Sequence, residues 1–168
     1  MIVIADTSPI NYLVLIGKQD ILPMLFGQVI MPEAVLRELQ AAATPPQVRQ
    51  WVAHRPPWLE MRPPTPPLET SLSHLDEGER EAIQLAEELK ADLLLMDEKA
   101  GREEALKRRL PVIGTLGMLE RAAEGGMLDF ALVLAELKAH KFFVAPALER
   151  DFLERDAQRK AGDQKQEE

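Results

Sequence analysis

Apolar positions fall along the chain in two kinds of block. Short runs stand at residues 1–5 (MIVIA), 28–31 (QVIM) and 92–96 (DLLLM), the first wholly apolar and the other two apolar after a polar first residue. Apolar runs of this length, rich in β-branched residues or leucine, mark buried strands of a parallel sheet. Between them, apolar residues recur every three or four positions, which is the helical period. This spacing predicts helices from Ser8 to about Ile16, from Pro32 (PEAVLRELQAAA), and over 75–89, 98–109, 118–124, 131–139 and 147–156. Ser8 is expected as the first helix's N-cap, with Pro9 at its first position. An apolar stretch at 21–26 leads to Gly27. Pro45-Pro46 breaks the third helix, and 47–54 reads as a short helix. Residues 58–62 read as a strand isolated by prolines, 63–67 (PPTPP) as a stiff connector, and 112–113 as a short strand before a G-T-L-G turn. The alternation of strands and helices implies an α/β fold, with a central parallel sheet and helices on both faces. One domain is expected over 1–156, with a polar tail at 157–168 that frays.

Composition narrows the classes. The length of 168 residues suits one domain with a sizeable core. Cysteine is absent, which excludes disulfide scaffolds, thiol nucleophiles and cysteine-ligated zinc. His54, His74 and His140 are too far apart for a short metal motif. No apolar run approaches the roughly 18–20 residues of a membrane span. The N-terminus has no basic region before its apolar run, so it does not read as a signal peptide, and a cytoplasmic location is expected. The net charge of −8 counts against tight, metal-free, nonspecific binding of nucleic acid. The scattered aromatic residues offer no base-stacking platform.

Several carboxylates sit where structure alone does not explain them. Asp6 and Asp97 each follow a buried strand, and ligands in parallel sheets bind at the carboxyl ends of strands. Asp97 reads equally well as the cap of the helix after it. On a helical wheel Glu79 falls on the apolar face with Ala82, Ile83 and Ala86, whereas Glu77 and Glu81 fall on the solvent side. A carboxylate aimed at the core needs a partner or a cation. The structural alternative is a capping box with Asp76. Glu38 lies at the edge of its helix's apolar face and by itself reads as a surface charge. Four carboxylates in one pocket would repel each other, and a hard divalent cation resolves that repulsion.

The segments IVIADTSPI, MPEAVLREL, LDEGEREAIQLA and DLLLMDEKAGR, in this order, resemble the PIN-domain ribonucleases. They are most similar to a VapC-type toxin-like branch with a GExEAIxLA stretch and a later G-T-L-G turn. The resemblance runs from Met1 to about Asp156. It implies a Rossmann-like, three-layer α/β/α sandwich. It also implies an acidic site of Asp6, Glu38, Glu79 and Asp97, with Asp6, Glu79 and Asp97 as ligands of Mg²⁺ or Mn²⁺. Ser8 is retained beside Asp6 and is a candidate ligand of the metal or its water. Arg102 matches a position often basic in this branch and is a candidate phosphate contact; the alternative is a surface pair with Glu98. Two departures stand out. Glu79 replaces the commoner Asp, and Leu95 stands where a hydroxyl residue often precedes the last Asp.

The resemblance thus implies a metal-dependent endoribonuclease that hydrolyses RNA with a metal-activated water, leaving a 3′-hydroxyl and a 5′-phosphate. It further implies the toxin of a toxin–antitoxin pair, with a small antitoxin as partner and a homodimer. Two rivals remain: a PIN-like binding module that has lost turnover, and an aspartyl-phosphate phosphatase. The second commonly needs an Asp two residues after the first, where this chain has Ser8.

Overall fold

A computed structural model describes residues 1–167. The chain divides into two compact units, Met1–Thr115 and Leu116–Glu168. The first runs β1 (Val3–Ala5), α1 (Thr7–Leu15), α2 (Ile21–Phe26), β2 (Val29–Met31), α3 (Glu33–Leu39), α4 (Pro46–Ala53), β3 (Leu59–Met61), a 3-10 turn (Thr70–Leu72), α5 (Glu77–Glu88), β4 (Leu93–Leu95), α6 (Lys99–Lys107) and β5 (Val112–Ile113). Then follow α7 (Thr115–Glu124), α8 (Phe130–Ala139) and α9 (Pro146–Gln166).

The five strands form one parallel sheet in the order β3-β2-β1-β4-β5. Every residue of β1, β2 and β4 is buried, so these strands are covered on both faces. On one face α5 lays Ala82, Ile83, Leu85 and Ala86 against Ile4, Ile30 and Leu94, and Ala105 of α6 joins this cluster. The expected α/β/α sandwich is the observed fold. The order of strands reverses between β1 and β4, which pair with Ala5 opposite Leu95. Connections leave these two neighbours in opposite directions, so a crevice opens at their carboxyl ends. Asp6 and Asp97 lie there.

Four details differ from the sequence reading. The Asp6 amide donates to the Leu95 carbonyl at 2.9 Å, holding Asp6 extended. Helix α1 therefore starts at Thr7 with Asp6 at the N-cap, and Ser8 is inside the helix rather than capping it. The G-T-L-G segment is not a separate turn, because α7 begins at Thr115. Asp97 does not cap α6; that position is Glu98. Finally, the residues expected to fray continue α9 to Gln166. Asp156 pairs there with Arg159 and, at 3.0 Å, with Lys160, the helical spacing at which opposite charges support each other.

Arg108, just past α6, gathers the connector that precedes α5. Its guanidinium donates to Glu104 at 2.8 Å, to Glu69 at 2.8 Å, to Glu87 at 2.9 Å and to Ser71 at 2.9 Å. Gln84 adds a bond to the Thr65 carbonyl at 2.7 Å. In the second unit, Phe130 stacks on Phe152 at 5.7 Å, with Arg155 over the Phe152 ring. Among the described residues no helix is long and apolar enough to cross a membrane.

Candidate functional site

Asp6 reaches the crevice because β1 ends on it and α1 begins after it. Its side chain makes no capping bond to α1, and only 4% of the residue is exposed. Burial pushes its pKa up to about 8, and the charges of Asp76, Glu79 and Glu38 push the same way against the Thr7 amide.

Glu38 comes from the last turn of α3 and is exposed at the rim. Its Oε2 accepts a 2.6 Å bond from the Thr7 hydroxyl, which ties α3 to the start of α1. Glu79 is buried on α5, as its wheel position predicts. It also completes the capping box: Asp76 Oδ1 accepts from the Glu79 amide at 2.8 Å, and Glu79 Oε2 accepts from the Asp76 amide at 3.2 Å. The functional and structural readings of Glu79 are therefore compatible. Burial raises its pKa, with the Asp76 charge the next cause in that direction.

Gly78 shows how closely these groups approach. A Cβ built there would stand 3.1 Å from Glu38 Oε2, 3.3 Å from Asp6 Oδ1 and 3.5 Å from Asp76 Oδ1. Three carboxylate oxygens converge on the one residue of the helix start that has no side chain. A cleft of about 380 Å³ lies here, lined by Ala34, Arg37, Glu38, Asp76, Glu77 and Gly78.

Asp97 belongs to an adjoining group. Its Oδ1 accepts from the Thr115 amide and its Oδ2 from the Thr115 hydroxyl, both at 2.7 Å. Burial raises its pKa, opposed by Thr115 and by the Arg102 charge. Arg102 and Asp97 both crowd Gly114, where a Cβ would lie 2.6 Å from Arg102 Nη1 and 2.8 Å from Asp97 Oδ1. Arg102 thus stands by Asp97 rather than pairing with Glu98 at the surface. The Glu98 charge repels both Glu79 and Asp97.

The structure therefore brings Asp6, Glu38 and Glu79 together and sets Asp97 with Arg102. Ser8 sits two residues along α1 from Asp6. Sequence reasoning missed Thr7, Thr115, Arg37 and Gly78, and it weighed Asp76 only as a cap. Thr115 supplies a hydroxyl to Asp97 in place of the one absent at Leu95. Glu81 is a correction. Expected on the solvent side, it is buried, and its Oε2 accepts from the Ala34 amide at 2.7 Å.

The donor set consists of hard carboxylate oxygens, and burial raises the pKa values of Asp6, Glu79 and Asp97. That chemistry fits a divalent cation such as Mg²⁺ or Mn²⁺. Among the described residues, no three acidic or histidine side chains stand together in a metal-ligating arrangement. The fit therefore lies in the chemistry of the donors.

A model of the PIN-domain family matches residues 2–158. No curated protein matches the chain.

Proposed function

Because the chain belongs to the PIN-domain family, whose members are nucleases as a class, we propose that it is a Mg²⁺- or Mn²⁺-dependent endoribonuclease of the VapC-type toxin-like branch. The observation that supports this reading is the convergence of Asp6, Glu38 and Asp76 oxygens on Gly78, with Glu79 on the same helix turn, at the carboxyl end of the sheet. Asp6, Glu79 and Asp97 would hold the cation, and Glu38 completes the acidic cluster. A divalent cation supplies charge against the scissile phosphate and lowers the pKa of water. The chain's other groups orient these acids. Thr115 fixes both oxygens of Asp97, the Thr7 hydroxyl fixes Glu38, and the Asp76 amide fixes one oxygen of Glu79. Ser8 and Arg102 are the supporting polar and cationic residues of the reading. The biological setting we propose is a toxin in the cytoplasm, covered by a small antitoxin and acting as a homodimer.

The test is RNA cleavage by wild type and Asp6→Asn with Mg²⁺, Mn²⁺ or EDTA. The expected outcome is cleavage by wild type alone, abolished by EDTA. Equal background activity in both proteins overturns the enzyme reading. One observation favours a binding module that has lost turnover: both oxygens of Asp97 are already engaged by Thr115. RNA binding with no cleavage under any cation would support that alternative.

A further inference from the structure

We propose that Arg37 is the docking point for a phosphate of the RNA backbone, with Glu77 as its placeholder in the free protein. The inference rests on the nuclease reading and adds a substrate contact which that reading does not contain. Arg37 precedes Glu38 in the last turn of α3 and is the one basic residue among those lining the acidic cleft. Its side chain is half-exposed, and its guanidinium faces three carboxylates. Nη2 lies 2.6 Å from Glu77 and 4.0 Å from Glu81, and Nη1 lies 3.7 Å from Glu33.

The fold has little need of this arrangement. Exposed ion pairs contribute almost nothing to stability. Glu81 already accepts from the Ala34 amide and does not depend on Arg37. What the pairing does is hold the guanidinium over the cleft.

A polyanion approaching this cleft meets mainly negative charge. A guanidinium presents two parallel donors that match the two non-bridging oxygens of a phosphodiester. Replacing the Glu77 carboxylate by a phosphate preserves a charge-assisted pair and releases a side chain that is 62% exposed. The exchange therefore leaves neither partner buried and unpaired. A phosphate held at Arg37 lies in the cleft that Glu38 also lines.

The experiment is a double-mutant cycle on the affinity of a short single-stranded RNA, measured at low salt in EDTA so that cleavage does not intervene. Arg37→Ala is expected to weaken binding about tenfold, the usual scale for one charge-assisted contact. It should also reduce the slope of log affinity against log salt by about one. Glu77→Gln should tighten binding in the wild-type background and have no effect in the Arg37→Ala background. Arg37→Lys should bind between wild type and Arg37→Ala, which separates loss of the fork from loss of fold. Affinity unchanged by Arg37→Ala, or equal tightening by Glu77→Gln in both backgrounds, overturns the inference whether or not the protein cleaves RNA. An intact cycle in a protein that never cleaves RNA overturns the nuclease reading and leaves the docking point standing.

Discussion

Glu79 Oε2 accepts the Asp76 amide, while its Oε1 faces Gly101, where a Cβ would stand 3.4 Å away. One carboxylate thus closes the start of α5 and belongs to the acidic cluster. The length of the side chain explains the choice of residue. A capping box needs the reach of Glu or Gln at the third helical position, and Asp is a methylene too short. This separates two substitutions. Glu79→Gln should keep the box and melt near wild type, yet lose nuclease activity with the charge. Glu79→Asp should keep the charge and some activity, yet lose about 1 kcal/mol of stability. Thermal melts and cleavage assays on the pair check both statements, and a common ranking in the two assays would refute them. Asp6 supplies a pH test. Its pKa lies at about 8 in the native protein, against about 3.9 in an unfolded chain. Between those values the native state holds a proton that the unfolded chain has released. Stability therefore falls as pH rises through the window and levels off above it. In EDTA, the melting temperature of wild type is expected to fall over this range, whereas that of Asp6→Asn does not. At pH ~8.5 the mutant should melt higher than wild type.

Helix α3 carries both Glu38 and Arg37, yet its own N-cap is Pro32, which makes no side-chain cap bond. Glu81 of α5 supplies the missing acceptor to the Ala34 amide from 47 positions away in sequence. The acidic cleft therefore depends on a cap donated by the neighbouring helix. Glu81→Leu is expected to cost about 2 kcal/mol, the scale of an orphaned buried amide. Glu81→Gln, which keeps the acceptor oxygen, should cost less than half of that in urea denaturation. The elements themselves were largely legible. Apolar runs gave β1, β2 and β4, Pro32 marked the start of α3, and prolines bounded β3; α3 ends at Leu39, short of the expected break at Pro45-Pro46. Asp6, Glu38 and Glu79 were found because strand ends, a family resemblance and the wheel pointed to them. Glu81 was not, because a wheel describes one helix against one apolar face. Here a second helix, α3, packs on the supposed solvent side. Thr115 was missed for a related reason: its bond to Asp97 spans 18 positions and crosses from the end of β4, past α6 and β5, to the start of α7.

At the scale of the whole molecule, the charge of −8 is unevenly placed. Asp6, Glu38, Asp76 and Glu79 cluster about the start of α5, so a cation held among them should stabilise the native state by mass action. Mg²⁺ is expected to raise the melting temperature of wild type more than that of Asp6→Asn, and equal shifts would show that these acids share no cation. A different group of acids acts on the chain's long connector. Residues 62–76 run from β3 to α5 through four prolines and a 3-10 turn, and much of this path is exposed. Such a segment is ordinarily the first place a protease enters. Arg108 closes it with three carboxylates and a serine, and Gln84 fastens its proline-rich end. The guanidinium acts as a buckle, and cutting the strap requires opening the buckle first. Arg108→Ala should therefore leave the acidic cluster in place while a broad-specificity protease nicks the chain within 62–76, at concentrations that wild type survives.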